Sequence, residues 1–221
     1  MNRNLASIGR KAQNMHMRKS GMVLIGLLLL SACGTSSQKM DEEQPDLHSA
    51  STEQISKNAV PQEARDTANN VLAALKSENW QGFASYVHPE KGVRFTPYTR
   101  VKLDSDEVMQ PTDIAEAFAS KKQRNWGVWD GTGEPLILAF SDYYNRYIWN
   151  HNYIEAPIKV WNQPCIRGNS LDNASEAYPD AHIVEYHFPG FDPQYDGMDW
   201  SSLRLALEKY NSEWRIVGLI H

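Results

Sequence analysis

The stretch "SLRLALEKYNSEWRIVGLI", residues 202–220, is the strongest constraint on how this chain can fold. Leu203, Leu205 and Leu207 alternate with Arg204, Ala206 and Glu208, the period of two expected of a strand whose faces meet different surroundings. A short Asn211-Ser212-Glu213 turn precedes "WRIVGLI", so the two runs are predicted to pair as a terminal antiparallel hairpin. Upstream, "AHIVEYHF" sets Val184, Tyr186 and Phe188 against Ile183, Glu185 and His187 in the same rhythm. The last third of the chain is therefore β in character.

The middle and early parts read differently. Ala64, Ala68, Val71, Leu72 and Leu75 recur at helical spacing behind Pro61, which predicts an amphipathic helix over residues 61–76. Asn79 is placed to cap a second, short helix carrying Trp80, Phe83 and Val87, which His88-Pro89 should end. "GVRFTPYTRV" reads as extended, and Thr112 is a candidate cap for a brief helix with Ile114, Ala117 and Phe118. "WGVWDGTGEPLILAF" reads as a hairpin around a glycine-rich turn, and Ser141 as the cap of a helix bearing Tyr144, Tyr147 and Ile148. Helices first and strands last predict an α+β fold, with amino-terminal helices packed on a curved antiparallel sheet over residues 59–221.

Before that domain the chain changes character twice. Arg3, Arg10, Lys11, Arg18 and Lys19 precede a short apolar run, residues 22–30, with no acidic residue among the first 32. That order is a secretory signal, and the run falls short of the ~18 to 20 residues a spanning helix needs. Residues 34–58 are polar, with scattered apolar side chains that cannot offset the entropy of ordering them. They read as a tether, and about 25 flexible residues reach about 25 to 30 Å.

Leu30-Ser31-Ala32-Cys33 resembles the lipobox of bacterial lipoproteins. The resemblance implies cleavage after residue 32, a signal peptide over 1–32, acyl chains on Cys33, and a lipidated tether over 33–58. Two or three acyl chains anchor stably where one binds only marginally. The expected location is the cell membrane or outer membrane, facing away from the cytoplasm, with Gly34 after the cysteine resembling the outer-membrane sorting pattern. Loss of residues 1–32 leaves 17 basic against 27 acidic residues and moves the formal charge from -5 to -10. Such an acidic domain is a poor partner for nucleic acid.

The order of elements is similar to the cone-shaped fold of the nuclear transport factor 2-like (cystatin-like) superfamily. "VHPEKGVRFTPY", "WGVWDGTGEP" and the stretch from "PGFDPQYDGMDW" to His221 also resemble a group of bacterial lipoproteins. That resemblance implies a fold and a location but carries over no catalytic residue.

Chemistry is thinly marked. Glu185 and His187 lie on one strand face two residues apart, where a carboxylate can orient an imidazole as a general base. The plainer expectation is a polar stripe on a solvated face. Asp192, Asp196 and Asp199 cluster around glycines and a proline, a candidate calcium turn, although the same residues serve an ordinary turn. Cys165, following Pro164 in a loop, is expected to be a spectator thiol once Cys33 carries lipid. The sequence holds no H-E-x-x-H, paired CxxC, G-x-S-x-G or phosphate loop, so no cofactor is expected. Seven tryptophans and ten tyrosines should mostly form core, with some left to line a pocket.

Two functions remain open on these residues. One is a non-enzymatic envelope module that binds a small ligand or an envelope protein. The other is an acid/base enzyme using a cone pocket, with an isomerase- or dehydratase-like activity.

Overall fold

The computed structural model describes residues 59–165 and 171–221; the signal segment, Cys33 and the tether lie outside them. Helix α1 spans Gln62–Lys76 and buries Ala64, Ala68, Val71, Leu72, Ala74 and Leu75. Full burial of each larger aliphatic chain contributes about 1.5 to 3 kcal/mol. Pro61 stands just outside the first turn, its carbonyl accepting from Arg65 N at 3.3 Å. Helix α2, Trp80–Tyr86, begins as the spacing predicts, with the Asn79 side chain accepting from Gly82 N at 2.9 Å.

Strands β1, Val93–Thr96, and β2, Val108–Met109, follow, then helix α3, Pro111–Ala117. Here Thr112 is not the cap: Pro111 occupies the first helical position and Gln110 precedes it. Proline's fixed φ suits that position and its missing N–H costs nothing there. Strands β3, Gln123–Val128, and β4, Pro135–Ala139, form the expected hairpin as a separate two-stranded sheet. Its turn is closed by Trp129 N donating to Glu134 O at 2.8 Å. Helix α4 starts at Phe140 rather than after Ser141, runs to Tyr143 and continues as a π-helical turn, Tyr144–Ile148. The wider turn puts Tyr143, Tyr144, Tyr147 and Ile148 all in the interior. The Tyr144 hydroxyl then donates to Leu75 O at 2.7 Å, tying α4 to the last turn of α1.

The large sheet collects β1 and β2 with β5, Ile158–Trp161, β6, His182–Phe188, β7, Ser201–Tyr210, and β8, Glu213–Ile220. Its order is β2-β1-β8-β7-β6-β5. The β7–β8 hairpin turns through Asn211 and Ser212, both at positive φ (48° and 74°), as a tight turn between twisted strands requires. The expectation of an antiparallel sheet needs correction. β1 runs parallel to β8, pairing Phe95 with Leu219, so the sheet is mixed. Parallel strands need a long crossover, and the whole of α3 to β7 supplies it.

The two faces of this sheet are both covered. On one, Val184, Tyr186, Leu203, Leu205, Leu207, Ile216, Leu219 and Phe95 pack with α1, α2, α4 and Trp126 into the main core. Trp126 stacks on Tyr143 with ring centroids 4.0 Å apart, and its indole N–H donates to Leu138 O at 2.9 Å. On the other face, Ala206, Val217 and Ile220 meet Val101, Ala174 and Tyr178. Those three come from residues 97–106 and from a one-turn helix α5, Ala174–Ala177, with its flank. Gly218 is required here, since a Cβ would stand 2.6 Å from the Tyr178 hydroxyl oxygen. Among the described residues no helix is long and apolar enough to cross a membrane.

Candidate functional site

The cover of the second face is fastened by buried polar groups. Arg204 of β7, 3% exposed, donates through one guanidinium nitrogen to Asp172 at 2.7 Å and through the other to Thr99 O at 2.8 Å. Asn173 clasps the same loop in both directions, accepting from Val101 N and donating to Val101 O. Asp172 also accepts from Ala174 N at 2.9 Å and so starts α5. Charge-assisted bonds such as those of Arg204 are the short, strong ones, and here they add to the apolar contacts that Val101, Ala174 and Tyr178 make with the sheet.

Beside Arg204 on the same sheet face lies the cluster that stands out chemically. Glu185 is 1% and His187 6% exposed, which corrects the expectation of a solvated stripe. Alternation marks which side chains share a face; it does not say whether that face is wet. β6 pairs with β7 so that Glu185 lies opposite Arg204 and His187 opposite Ser202. Ser202 Oγ donates to Glu185 Oε1 at 2.8 Å, and His187 Nδ1 lies 2.8 Å from the same Oγ. A hydroxyl has one proton to give. With the Ser202 proton directed to Glu185, Nδ1 of His187 is placed as the donor to the Ser202 oxygen.

Cys165 joins the group from the loop after β5. Its backbone N–H donates to Glu185 Oε2 at 3.0 Å. The Cys165 thiol, a Glu185 carboxylate oxygen and one nitrogen of His187 all lie within 4.8 Å of one another. The thiol had no histidine near it in sequence, and strand pairing is what brings one to it.

The three aspartates do not converge in this way. Asp192 accepts from Gln194 N at 2.9 Å and caps a 3-10 turn, Pro193–Tyr195. Asp199 Oδ2 accepts from Phe191 N and Asp192 N at 3.1 and 2.8 Å, and Asp196 takes the left-handed conformation that ends the turn. Each carboxylate that bonds here serves the backbone of its own loop.

Beside Cys165 the second face opens into a cavity of about 430 Å³. Pro164, Tyr178, Ala181 and Ile183 supply apolar wall, and Asn162, Ser175, Asp180 and His182 supply polar rim. His182 Nδ1 lies 3.0 Å from Asn162 Nδ2, and burial, then the nearby Arg65 charge, pushes its pKa below the ordinary value. Compared with known proteins, the chain matches no protein-family model and no curated protein.

Proposed function

We propose that the chain is a lipid-anchored protein of the bacterial cell envelope whose α+β domain binds a small ligand outside the cytoplasm. The anchor rests on the basic start, the short apolar run and Leu30-Ser31-Ala32-Cys33. The binding reading is carried by the 430 Å³ cavity on the second sheet face, a size within the roughly 300 to 1,000 Å³ typical of small-molecule sites. Its mixture of apolar wall and amide, hydroxyl and carboxylate rim suits a molecule with one apolar side and several hydrogen-bonding groups.

The fold is read here as a nuclear transport factor 2-like cone, in agreement with helices preceding a long-stranded sheet. In such a cone an acid/base enzyme would keep its pocket between helices and sheet. That space in this chain is packed with Phe83, Phe95, Trp126, Phe140, Tyr143 and Tyr153, which favours the binding module over an isomerase- or dehydratase-like activity.

Native mass spectrometry of the full-length protein extracted from membranes tests the ligand. The wild type is expected to carry a small molecule that Ala181→Trp, which fills the cavity, has lost while remaining folded. The reading fails if neither protein carries one and no compound of a metabolite library raises the wild-type Tm more than the variant's. Cys33→Ala tests the anchor: it should block acylation and leave uncleaved precursor, and normal processing of the variant would refute that part alone.

A further inference from the structure

We propose that the domain carries a second binding site, an open groove beside the β3–β4 turn that takes an oligosaccharide, independent of the ligand reading above. The groove has a volume of about 940 Å³, more than twice the 430 Å³ of the cavity beside Cys165. One wall is the turn itself, residues 128–133, a second is residues 98–102, and a third is formed around Met198 and Trp200.

A sugar ring makes two demands at once. Its C–H bonds form an apolar face, and its hydroxyl groups radiate from the rim. The groove answers both. Tyr98 and Trp129 line it and are half-buried, whereas Trp126 and Tyr143 are enclosed by the main core. Rings of this kind give flat apolar surface at a small cost in side-chain freedom. Around them stand Thr99, Arg100, Lys102, Asp130 and Thr132, donors and acceptors of the kind that sugar hydroxyls pair with. An acyl chain in the same place would take water from these groups without replacing its hydrogen bonds, which is costly.

The two rings are set in place from behind. The Arg146 guanidinium lies over Trp129, 4.5 Å from the ring centroid, while Arg146 itself does not line the groove. The cation therefore holds the indole from the side away from the groove. Tyr98 meets the buried Tyr147 edge to face at 5.8 Å, and its hydroxyl accepts from Asp130 N at 3.0 Å. That bond ties the turn to residues 98–102. Both walls are thus positioned before a ligand arrives, and a preorganised site loses less freedom on binding. At Gly131 and Gly133 a Cβ would meet nothing within 4 Å, so the turn side of the groove is open to a chain of sugars rather than closed round one.

Isothermal titration calorimetry of the full-length protein in detergent with chitotetraose, cellotetraose, maltotetraose and tetragalacturonate tests the groove. At least one tetrasaccharide is expected to bind, and the preference among an amino sugar, two neutral glucans and a uronate gives the sugar class. Trp129→Ala should weaken that binding about 10- to 100-fold, and Trp129→Phe, which keeps a ring, should weaken it less. Arg146→Ala leaves both rings but removes the support of one, and should fall between the wild type and Trp129→Ala; it carries the comparison alone if Trp129→Ala does not fold. Ala181→Trp, which fills the other cavity, should leave sugar binding unchanged. Failure of all four sugars to bind the wild type at millimolar concentration, wild-type affinity in both Trp129→Ala and Arg146→Ala, or loss of binding in a folded Ala181→Trp would each overturn the groove.

Discussion

On the face of the large sheet turned to α1, Leu203, Leu205 and Leu207 of β7 meet rings and aliphatic chains. On the opposite face the intervening residues Ser202 and Arg204 are just as buried, at 1% and 3% exposure, yet Ser202 bonds to Glu185 and His187 of β6, and Arg204 to Asp172 and the Thr99 carbonyl of the covering segments. The first face is sealed by regular elements whose apolar sides are cut to fit it. The second is sealed by irregular segments that must be fastened bond by bond. Burial by loops leaves backbone and polar side chains inside, and each needs a partner. That is why the polar cluster and the cavity occur together on the second face.

The comparison predicts unequal costs. The largest belongs to Phe95→Ala, because Phe95 is fully buried and packs edge-on to Trp126, Phe140 and Tyr143. The expected loss is about 3 to 5 kcal/mol, measured by urea denaturation, and it should unfold both faces together. A loss below about 1 kcal/mol would show that the rings repack freely and that the first face is not the rigid one.

Arg204→Met should cost less, about 1.5 to 3 kcal/mol, the range for hydrogen bonds to a charged group. Its effect should be local: amide exchange should accelerate at residues 97–106 and 171–178 while α1 and β7 stay protected. If exchange rises equally in α1, the two faces form one cooperative unit and the distinction drawn here is lost.

The smallest effect is a response to acid. His88, His151 and His182 all have pKa values below the ordinary 6.5, in each case chiefly through burial. The unfolded chain then takes up protons first, so the contribution of these groups is present above pH 6.5 and is lost as the pH falls through 6.5 towards their folded values. His88 Nδ1 accepts from Glu90 N and Lys91 N at 3.2 and 3.0 Å, bonds that protonation of that nitrogen destroys. His88→Asn keeps an acceptor without the titration, and Tm should fall less between about pH 7 and about pH 5 than in the wild type. An unchanged slope would remove His88 from the account.

Much of the first face was legible in the sequence, because periodicity reports amphipathic elements directly: α1, α2 with its Asn79 cap, the β3–β4 hairpin and the β7–β8 hairpin all follow from it. The second face was not. Residues 97–106 and α5 have no period to read, and nothing in "PCIRG" announces that Cys165 will meet His187. The parallel pairing of β1 with β8, and the pairing of β5 with β6, depend on partners distant in sequence. The π-helical turn over Tyr144–Ile148 escaped for a related reason, since an ordinary helix with the same aromatic residues gives the same pattern.

The place of β8 has a consequence for the order of events in time. It lies between β7 and β1, so without it the sheet is two unconnected pieces, one holding β1 and β2 and the other β5, β6 and β7. A chain emerging amino-terminus first, from a ribosome or from a translocation pore, carries α1, α2 and β1 out long before the strand that joins them to the rest. Their apolar sides stay uncovered during that interval, and closure of so distant a pairing is slow. A chain that lacks β8 therefore cannot close this sheet, and the fold forms only once residues 213–220 are available to join its two pieces.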